Sequence, residues 1–480
     1  MTDVVGRLWG FCHVLRHDGI DYGDYIEQLT YLLFIKMADE RGIDLPAQTN
    51  WPYLRRQSGT DLLDVYVEAL RILGKERGIL GDIFSGSQSR FANPVNLAKL
   101  IGLIDETEWT SIDTDIKAAV FEGLLEKAAS ESKKGAGQYF TPRLLIQSMV
   151  RCIKPDPRAS KDFTIDDPAC GTGGFLVAAY EWLKDQTVGG ALDRETARRV
   201  RTSTYFGQDF VPRPRRLALM NLYLHQVEPH ISLTDSIYEV PSSHRYDIVL
   251  TNPPFGTKGG SQAPDREDFV IQTRNKQLNF IQHVLTILKH GGRAAVVVPD
   301  NVLFAEQAGE VFQVLMEDCD VHTVLRCPRG TFSPYTAGTK TYVIFFTKGS
   351  PTERTWIYDA RANVPKITKK SRPLTAKHFG EFEKCYGEDP NGRRTRSEAD
   401  SAEGRWRCFS LDEIKEKYYK LDAFKWIRDE ELDDPDEFPE PEELITEAME
   451  ELRLALDGLA NIQHLLEGNG IEGNGNGGGL

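Results

Sequence analysis

The sequence lacks several features that would place it among membrane, secreted or metal-binding proteins. It has no run of about 18 apolar residues, the length that a transmembrane helix needs. Residues 1–7 do not lead a basic stretch into an apolar core, so no secretory signal is expected. The seven cysteines are scattered, without a Cys-x-x-Cys pair or a Cys/His cluster of zinc spacing. We therefore expect a cytoplasmic protein with reduced thiols, no membrane contact and no metal site.

The net charge of −14 argues at first against a nucleic-acid partner. However, the stretch 429–451 holds 13 acidic residues and no Lys or Arg, and the rest of the chain is close to neutral. The net charge therefore neither supports nor excludes DNA. Because phosphate contacts supply most non-specific affinity, we expect this chain alone to bind DNA weakly.

The apolar pattern divides the 480 residues into five parts. They are a helical domain (1–130), a domain of alternating strands and helices (131–350), a mixed extension (351–430), an acidic segment with a C-terminal helix (431–467) and a disordered Gly/Asn tail (468–480). Alternating strands and helices are typical of an α/β fold with a doubly wound, mostly parallel sheet. Strands are predicted at 163–166, 203–206, 246–250, 293–298, 321–325 and 341–346. The last two have no helix between them, which favours antiparallel pairing.

The strongest chemical signal is the tetrapeptide Asn252, Pro253, Pro254 and Phe255, which follows the predicted strand at 246–250. The Asn252 side chain and the Pro253 carbonyl are two hydrogen-bond acceptors for a planar amino group, and Phe255 offers a face for stacking. When both amino N–H groups donate hydrogen bonds to these acceptors, the nitrogen lone pair is free to attack an electrophile. The alternative is a strand terminator with Asn as a turn residue. The tetrapeptide resembles the signature of amino-methyltransferases, which methylate adenine N6, cytosine N4 or protein glutamine amides with S-adenosylmethionine.

A second motif, Asp-Asp-Pro-Ala-Cys-Gly-Thr-Gly-Gly-Phe at 166–175, follows a strand and opens a helix. It is neither a dinucleotide fingerprint nor a Walker loop. It resembles the S-adenosylmethionine loop of DNA amino-methyltransferases, which implies cofactor contacts from Asp167, Thr172, Gly173 and Gly174.

Two further carboxylates follow later strands. Asp209 can accept both hydroxyls of a ribose, and Asp235 can accept from the adenine amino group of the cofactor. For both residues the alternative is a helix N-cap or a turn.

A third motif lies upstream and consists of Gln138, Tyr139, Phe140, Thr141, Pro142 and Arg143. Its local pattern predicts Thr141 as a helix N-cap and Pro142 as the first helical residue. That leaves the glutamine and the two aromatic residues unexplained. In the family that this sequence resembles, the segment covers the methionine end of the cofactor. A fourth stretch, 328–341, is aromatic and basic; it could contact an extruded base or be an ordinary loop between strands.

The order of the four motifs after a helical domain resembles the modification (M) subunit of type I restriction–modification systems. The resemblance implies an adenine-N6 DNA methyltransferase that uses S-adenosylmethionine and acts on double-stranded DNA with a flipped adenine. It also implies a separate specificity subunit and allows a restriction (nuclease/translocase) subunit. Alternatives are a protein-glutamine methyltransferase, a cytosine-N4 methyltransferase and a non-catalytic scaffold subunit that binds the cofactor.

The segment between Phe346 and the acidic stretch is short for a DNA-recognition domain, which is typically on the order of 100 residues. We therefore expect a separate subunit to read the DNA sequence. A helix with an apolar stripe at 441–466 is a candidate docking element for that subunit. Packing on this chain's own domain is equally compatible with the stripe.

Overall fold

The computed structural model describes residues 8, 10–11, 19–40, 42–107, 109, 141–186, 192–255, 262–305, 307–332, 340–368, 372–393, 395–427 and 449. Residues 1–427 form one compact unit and residues 428–480 a second. The acidic segment and the predicted helix at 441–466 lie almost wholly outside the described residues. None of the helices within the described ranges is both long and apolar enough to cross a membrane.

The regular elements described between residues 19 and 109 are all helices. They are α1 (Tyr22–Glu40), α2 (Trp51–Arg55), α3 (Gly59–Leu73), α4 (Ile79–Phe84) and α5 (Pro94–Asp105). Asn50 and Asn93 begin α2 and α5 as N-caps, and each side chain accepts a backbone N–H at 2.9 Å. A proline in the first turn of both helices provides a φ angle that already suits a helix.

The strands form one nine-stranded sheet. They are β1 (Ile165–Asp167), β2 (Tyr205–Asp209), β3 (His230–Leu233), β4 (Tyr246–Thr251), β5 (Leu288–Pro299), β6 (Cys319–Arg326), β7 (Thr341–Lys348), β8 (Arg354–Asp359) and β9 (Trp406–Ser410). Their order is β3-β2-β1-β4-β5-β7-β6-β8-β9. β7 runs antiparallel to both of its neighbours, β9 runs antiparallel to β8, and the other neighbouring pairs are parallel. The doubly wound, mostly parallel sheet is thus confirmed, as is the antiparallel pairing of the last two predicted strands.

Helices cover both faces of the sheet. They are α6 (Arg143–Ile153), α7 (Gly174–Gln186), α8 (Arg194–Thr202), α9 (Pro212–Leu224), α10 (Lys276–Ile287), α11 (Asp300–Leu303), α12 (Ala308–Asp318), α13 (Lys377–Tyr386) and α14 (Leu411–Glu416). Alternate residues of β4 face opposite cores. Ile248 and Leu250 pack with α6, α7 and α9, whereas Val249 packs with α10 and α12. A strand buried on both faces explains the continuous apolar run at 246–250.

The strand order reverses between β1 and β4. From β1 the chain winds outward through β2 to β3, and it then returns to the other side of β1 as β4. Asp166 pairs with Val249, so the segments that follow these two strands leave the sheet side by side. In open α/β sheets such a switch point is the usual ligand crevice.

Arginines at the start of α9 connect the sheet domain to the N-terminal helices. Arg213, Arg215 and Arg216 occupy the first turn, where the helix dipole disfavours positive charge. The buried Glu27 of α1 accepts a hydrogen bond from Arg216 and lies 3.5 Å from Arg213. Asp82 of α4 pairs with Arg215 at 3.0 Å. Acidic residues of the helical domain thus compensate the basic helix start.

We predict that Glu27→Ala destabilises the protein by about 3 kcal/mol, because it leaves the Arg216 guanidinium, whose side chain is only 12% exposed, without its carboxylate. Glu68→Ala is the matched control: its 44%-exposed side chain pairs with Arg71 within α3, and its loss should destabilise the protein much less, because water screens an exposed ion pair. Denaturant unfolding of both variants measures the difference. Equal losses would contradict the role given to Glu27.

Candidate functional site

The glycine-rich turn after β1 lies at the switch point. Gly173 has a φ of +79°, and its N–H donates to the Cys170 carbonyl at 2.7 Å. A Cβ at this position would lie 3.3 Å from the Ala218 Cβ of α9. Glycine is therefore required here both for the backbone conformation and for space. Thr172 lies in the same turn, and Gly174 is the first residue of α7.

Asp209, at the end of β2, holds this turn. Its two carboxylate oxygens accept the N–H of Gly171 at 3.1 Å and the N–H of Val211 at 2.8 Å. A carboxylate has about four lone-pair positions, so both oxygens keep acceptor capacity for a ligand. The bond to Val211 is the turn interaction that the sequence offered as the alternative, and it leaves this acceptor capacity in place.

Three buried carboxyl groups lie close together at the ends of β1 and β2. Burial raises the pKa of Asp209 to about 6, and burial raises the pKa of Asp167 to about 7. The pKa of Asp166 is raised well above its usual range by burial and by the neighbouring Asp167. Because nearby positive charge favours the ionised form of a carboxyl group, this end of the crevice suits a cationic ligand.

The Asn252 side chain is fixed by a residue far away in sequence. Its Nδ2 donates to Thr141 Oγ1 at 2.9 Å, across 111 residues of chain. The other end of the amide, Oδ1, is buried and has no hydrogen-bond partner among the residues that the structure describes. An orphaned buried acceptor is costly unless something fills it, which makes this oxygen a candidate ligand contact.

The predicted cap of α6 is wrong by one residue. The structure places Pro142, not Thr141, at the N-cap, and no side chain caps the helix. Thr141 escapes the capping role because its hydroxyl accepts from Asn252 instead. Arg143 forms an ion pair with Glu181 of α7 at 2.9 Å. Gln138, Tyr139 and Phe140 lie outside the described residues.

The rest of the tetrapeptide is held from the other side. Gln277, buried in the first turn of α10, donates to the Pro254 carbonyl at 3.0 Å. Phe255 meets Phe332 edge to face, with ring centroids 5.6 Å apart. Pro253, which lies between Asn252 and Pro254 in the sequence, is buried. The fourth predicted stretch thus reaches the site through Phe332, while its residues 333–339 lie outside the described residues.

Asp235 is engaged locally. Its carboxylate accepts the N–H groups of Ile237 and Tyr238 at 2.9 and 3.3 Å, which is the turn alternative. The next residue, Ser236, donates its hydroxyl to the Pro168 carbonyl at 2.6 Å and so joins this turn to the glycine-rich loop. The fully buried Arg266 donates to the Ser236 carbonyl at 2.6 Å and so stabilises the turn.

Three residues of this region were missed in the sequence. Gln277 and Asn221 are isolated amides in helices, and nothing in the sequence connects them with Pro254 or with Thr172, whose carbonyl accepts from Asn221 at 3.1 Å. Phe210 is 59% exposed directly after Asp209. Its signal was available in the sequence, because an aromatic residue directly after a predicted cofactor-binding acid is a stacking candidate.

Two family profiles match this chain. One, described as N-6 DNA Methylase, matches residues 112–435, and one described as HsdM N-terminal domain matches residues 4–42. The first covers more than half of the chain. It decides for adenine N6 where the sequence also allowed cytosine N4 and glutamine amides.

Relatives agree over nearly the full length. The methylase subunit of the type I restriction enzyme StySJI from Salmonella typhimurium is 38% identical over 506 aligned positions, which cover 95% of this chain and 93% of the relative. The EcoKI methylase subunit from Escherichia coli is also 38% identical, with 95% and 94% covered. A structure solved in a study of complex assembly and conformational transition of the type I R-M system superposes with a TM-score of 0.73 at 28% identity, covering 97% of this chain and 98% of that one. The chain therefore belongs to the N-6 DNA methylase family, as an adenine-specific DNA methyltransferase of the type I restriction–modification kind.

Proposed function

We propose that this chain binds S-adenosylmethionine in the crevice between β1, β2 and β4 and presents an adenine extruded from double-stranded DNA to it. The observation that carries the proposal is the buried Oδ1 of Asn252 beside the switch point, for which the described part of the chain provides no hydrogen-bond donor. An acceptor without a partner at this place suits the amino group of a base.

The residues present fit the proposed cofactor. The glycine-rich turn lets the backbone approach a ligand closely, and Asp209 keeps lone pairs for the ribose hydroxyls. The carboxyl groups of Asp167 and Asp209 suit a positively charged ligand. When bound, S-adenosylmethionine supplies an electrophilic methyl group on a sulfonium sulfur.

The protein's own part in the reaction is positioning. Adenine N6 is unreachable in a stacked base pair, so the base must leave the helix at a cost of a few kcal/mol. Asn252 Oδ1 and the Pro253 carbonyl accept the two amino hydrogens, and Phe255 stacks on the ring. Phe332 fixes the plane of Phe255 through their edge-to-face contact. These contacts hold the N6 lone pair toward the methyl donor, and no strong base is needed.

The partners follow from the same family membership. We infer that a specificity subunit reads the DNA sequence, and that a restriction subunit joins the complex where cleavage accompanies modification. The near-neutral charge outside 429–451 supports shared DNA binding, since this chain alone brings no excess of positive charge. The apolar stripe at 441–466 is our candidate for the contact with the specificity subunit.

The first prediction concerns Asn252→Ala, which removes the acceptor. Transfer of tritiated methyl groups to DNA free of N6-methyladenine should fall at least 100-fold, because an interaction of the transition state is lost. Calorimetry should give an unchanged dissociation constant for S-adenosylmethionine. Asn93→Ala, at the exposed N-cap of α5, is the control and should keep full turnover. Undiminished transfer by Asn252→Ala would contradict the role of Asn252 as the acceptor for the substrate amino group.

A second prediction concerns pH. The pKa of Asp209 in the free protein is raised to about 6, so its carboxylate is ionised above that pH and protonated below it. Affinity for S-adenosylmethionine should therefore fall as pH decreases through 6, approaching tenfold per pH unit. Calorimetry between pH 5 and 8 measures this. Asp209→Asn should bind weakly and lack the step near pH 6, whereas a step near pH 7 that remains belongs to Asp167. A step near pH 6 that survives in Asp209→Asn would contradict the assignment.

A third prediction tests the partner. Deleting residues 441–480 should abolish co-purification with the specificity subunit while S-adenosylmethionine binding stays unchanged. Deleting only the Gly/Asn tail at 468–480 is the matched control and should leave the complex intact. A complex that survives the longer deletion excludes the helix as the docking element.

A further inference from the structure

The Asn252 side-chain amide can adopt two orientations, and only one of them directs the carbonyl oxygen toward the substrate. The carbonyl oxygen and the amide nitrogen have nearly the same shape, so a half-turn of the amide exchanges an acceptor for a donor with little steric effect. If the nitrogen of Asn252 faced the substrate, its N–H groups would oppose the N–H groups of the adenine amino group. The site therefore needs a group that binds one end of the amide selectively.

Thr141 makes that contact. Its Oγ1 accepts from Asn252 Nδ2 at 2.9 Å, which directs the nitrogen away and leaves Oδ1 buried, with no partner in the described ranges. The hydroxyl is available because α6 takes Pro142 as its N-cap and uses no side-chain cap. The contact joins the start of α6 to the end of β4, two elements that flank the crevice.

We propose that Thr141 is a positioning residue for methyl transfer: its hydroxyl holds the Asn252 amide with the carbonyl oxygen toward the substrate amino group. This inference rests on the proposed function and assigns Thr141 to the substrate side of the site. The family resemblance alone gave Thr141 to the cofactor. The two assignments differ in what a substitution changes, because a cofactor contact alters the affinity for S-adenosylmethionine and a positioning contact alters turnover.

The test is Thr141→Val, which keeps the side-chain shape and removes the acceptor, with Thr141→Ser as the variant that keeps the hydroxyl. Turnover is measured with tritiated S-adenosylmethionine and DNA free of N6-methyladenine, using the full chain with its specificity subunit, both substrates saturating. The dissociation constant for S-adenosylmethionine is measured by calorimetry. Thr30→Val is the control, since Thr30 is a buried threonine of α1 whose hydroxyl donates to the Ile26 carbonyl at 2.6 Å.

Thr141→Val should lower kcat about tenfold, the equivalent of one hydrogen bond, with the dissociation constant changed less than twofold. Thr141→Ser should recover most of the turnover, and Thr30→Val should match the wild type. Wild-type kcat in Thr141→Val, a weakened cofactor affinity at unchanged kcat, or a serine variant as slow as the valine variant would each overturn the inference. If Thr141→Val does not fold, Thr141→Ala is read in the same way against Thr141→Ser. A wild-type protein that binds the cofactor but does not label DNA would instead overturn the proposed function.

Discussion

The parallel pairing of β1 with β4 is the constraint on which the site depends. There the winding direction of the sheet reverses, and segments about 80 residues apart leave the sheet next to each other. The register of Asp166 with Val249 places the glycine-rich turn beside the tetrapeptide. A one-residue slip would exchange Ile248 and Leu250 with Val249 between the two cores, so hydrophobic packing on both faces enforces the register that chemistry needs.

Burial at this reversal point has an electrostatic consequence. Asp166, Asp167 and Asp209 all have raised pKa values because burial disfavours their charged forms. Such groups contribute nothing to stability that an apolar residue would not provide better. Their presence together is understandable if a cationic ligand favours their ionised forms, and a protein without that ligand then carries Asp167 and Asp209 as acids that titrate near neutral pH.

The sequence predicted those features that a single continuous segment determines. Strands buried on both faces, such as the one at 246–250, show as continuous apolar runs, and the glycine turn shows as a motif. β3 and β9 were not predicted, because both strands are short, have polar residues among the apolar ones and lie at the edges of the sheet. The bonds of Asn252 with Thr141 and of Pro254 with Gln277 were also unpredictable from pattern, because they join residues that only the folded sheet brings together.

In the proposed mechanism, those two bonds supply the orientation on which methyl transfer depends. The tetrapeptide is held on one side by the start of α6 and on the other by the start of α10. Each bond is modest, about 1 kcal/mol net. Each nevertheless restricts the motion of the tetrapeptide, so that the groups proposed to bind the amino group are already oriented. A reaction that proceeds by positioning depends on orientation, so in the proposed mechanism Thr141 and Gln277, which lie outside the motif, contribute to the rate. The tetrapeptide on its own would supply the right atoms without fixing which of them faces the base.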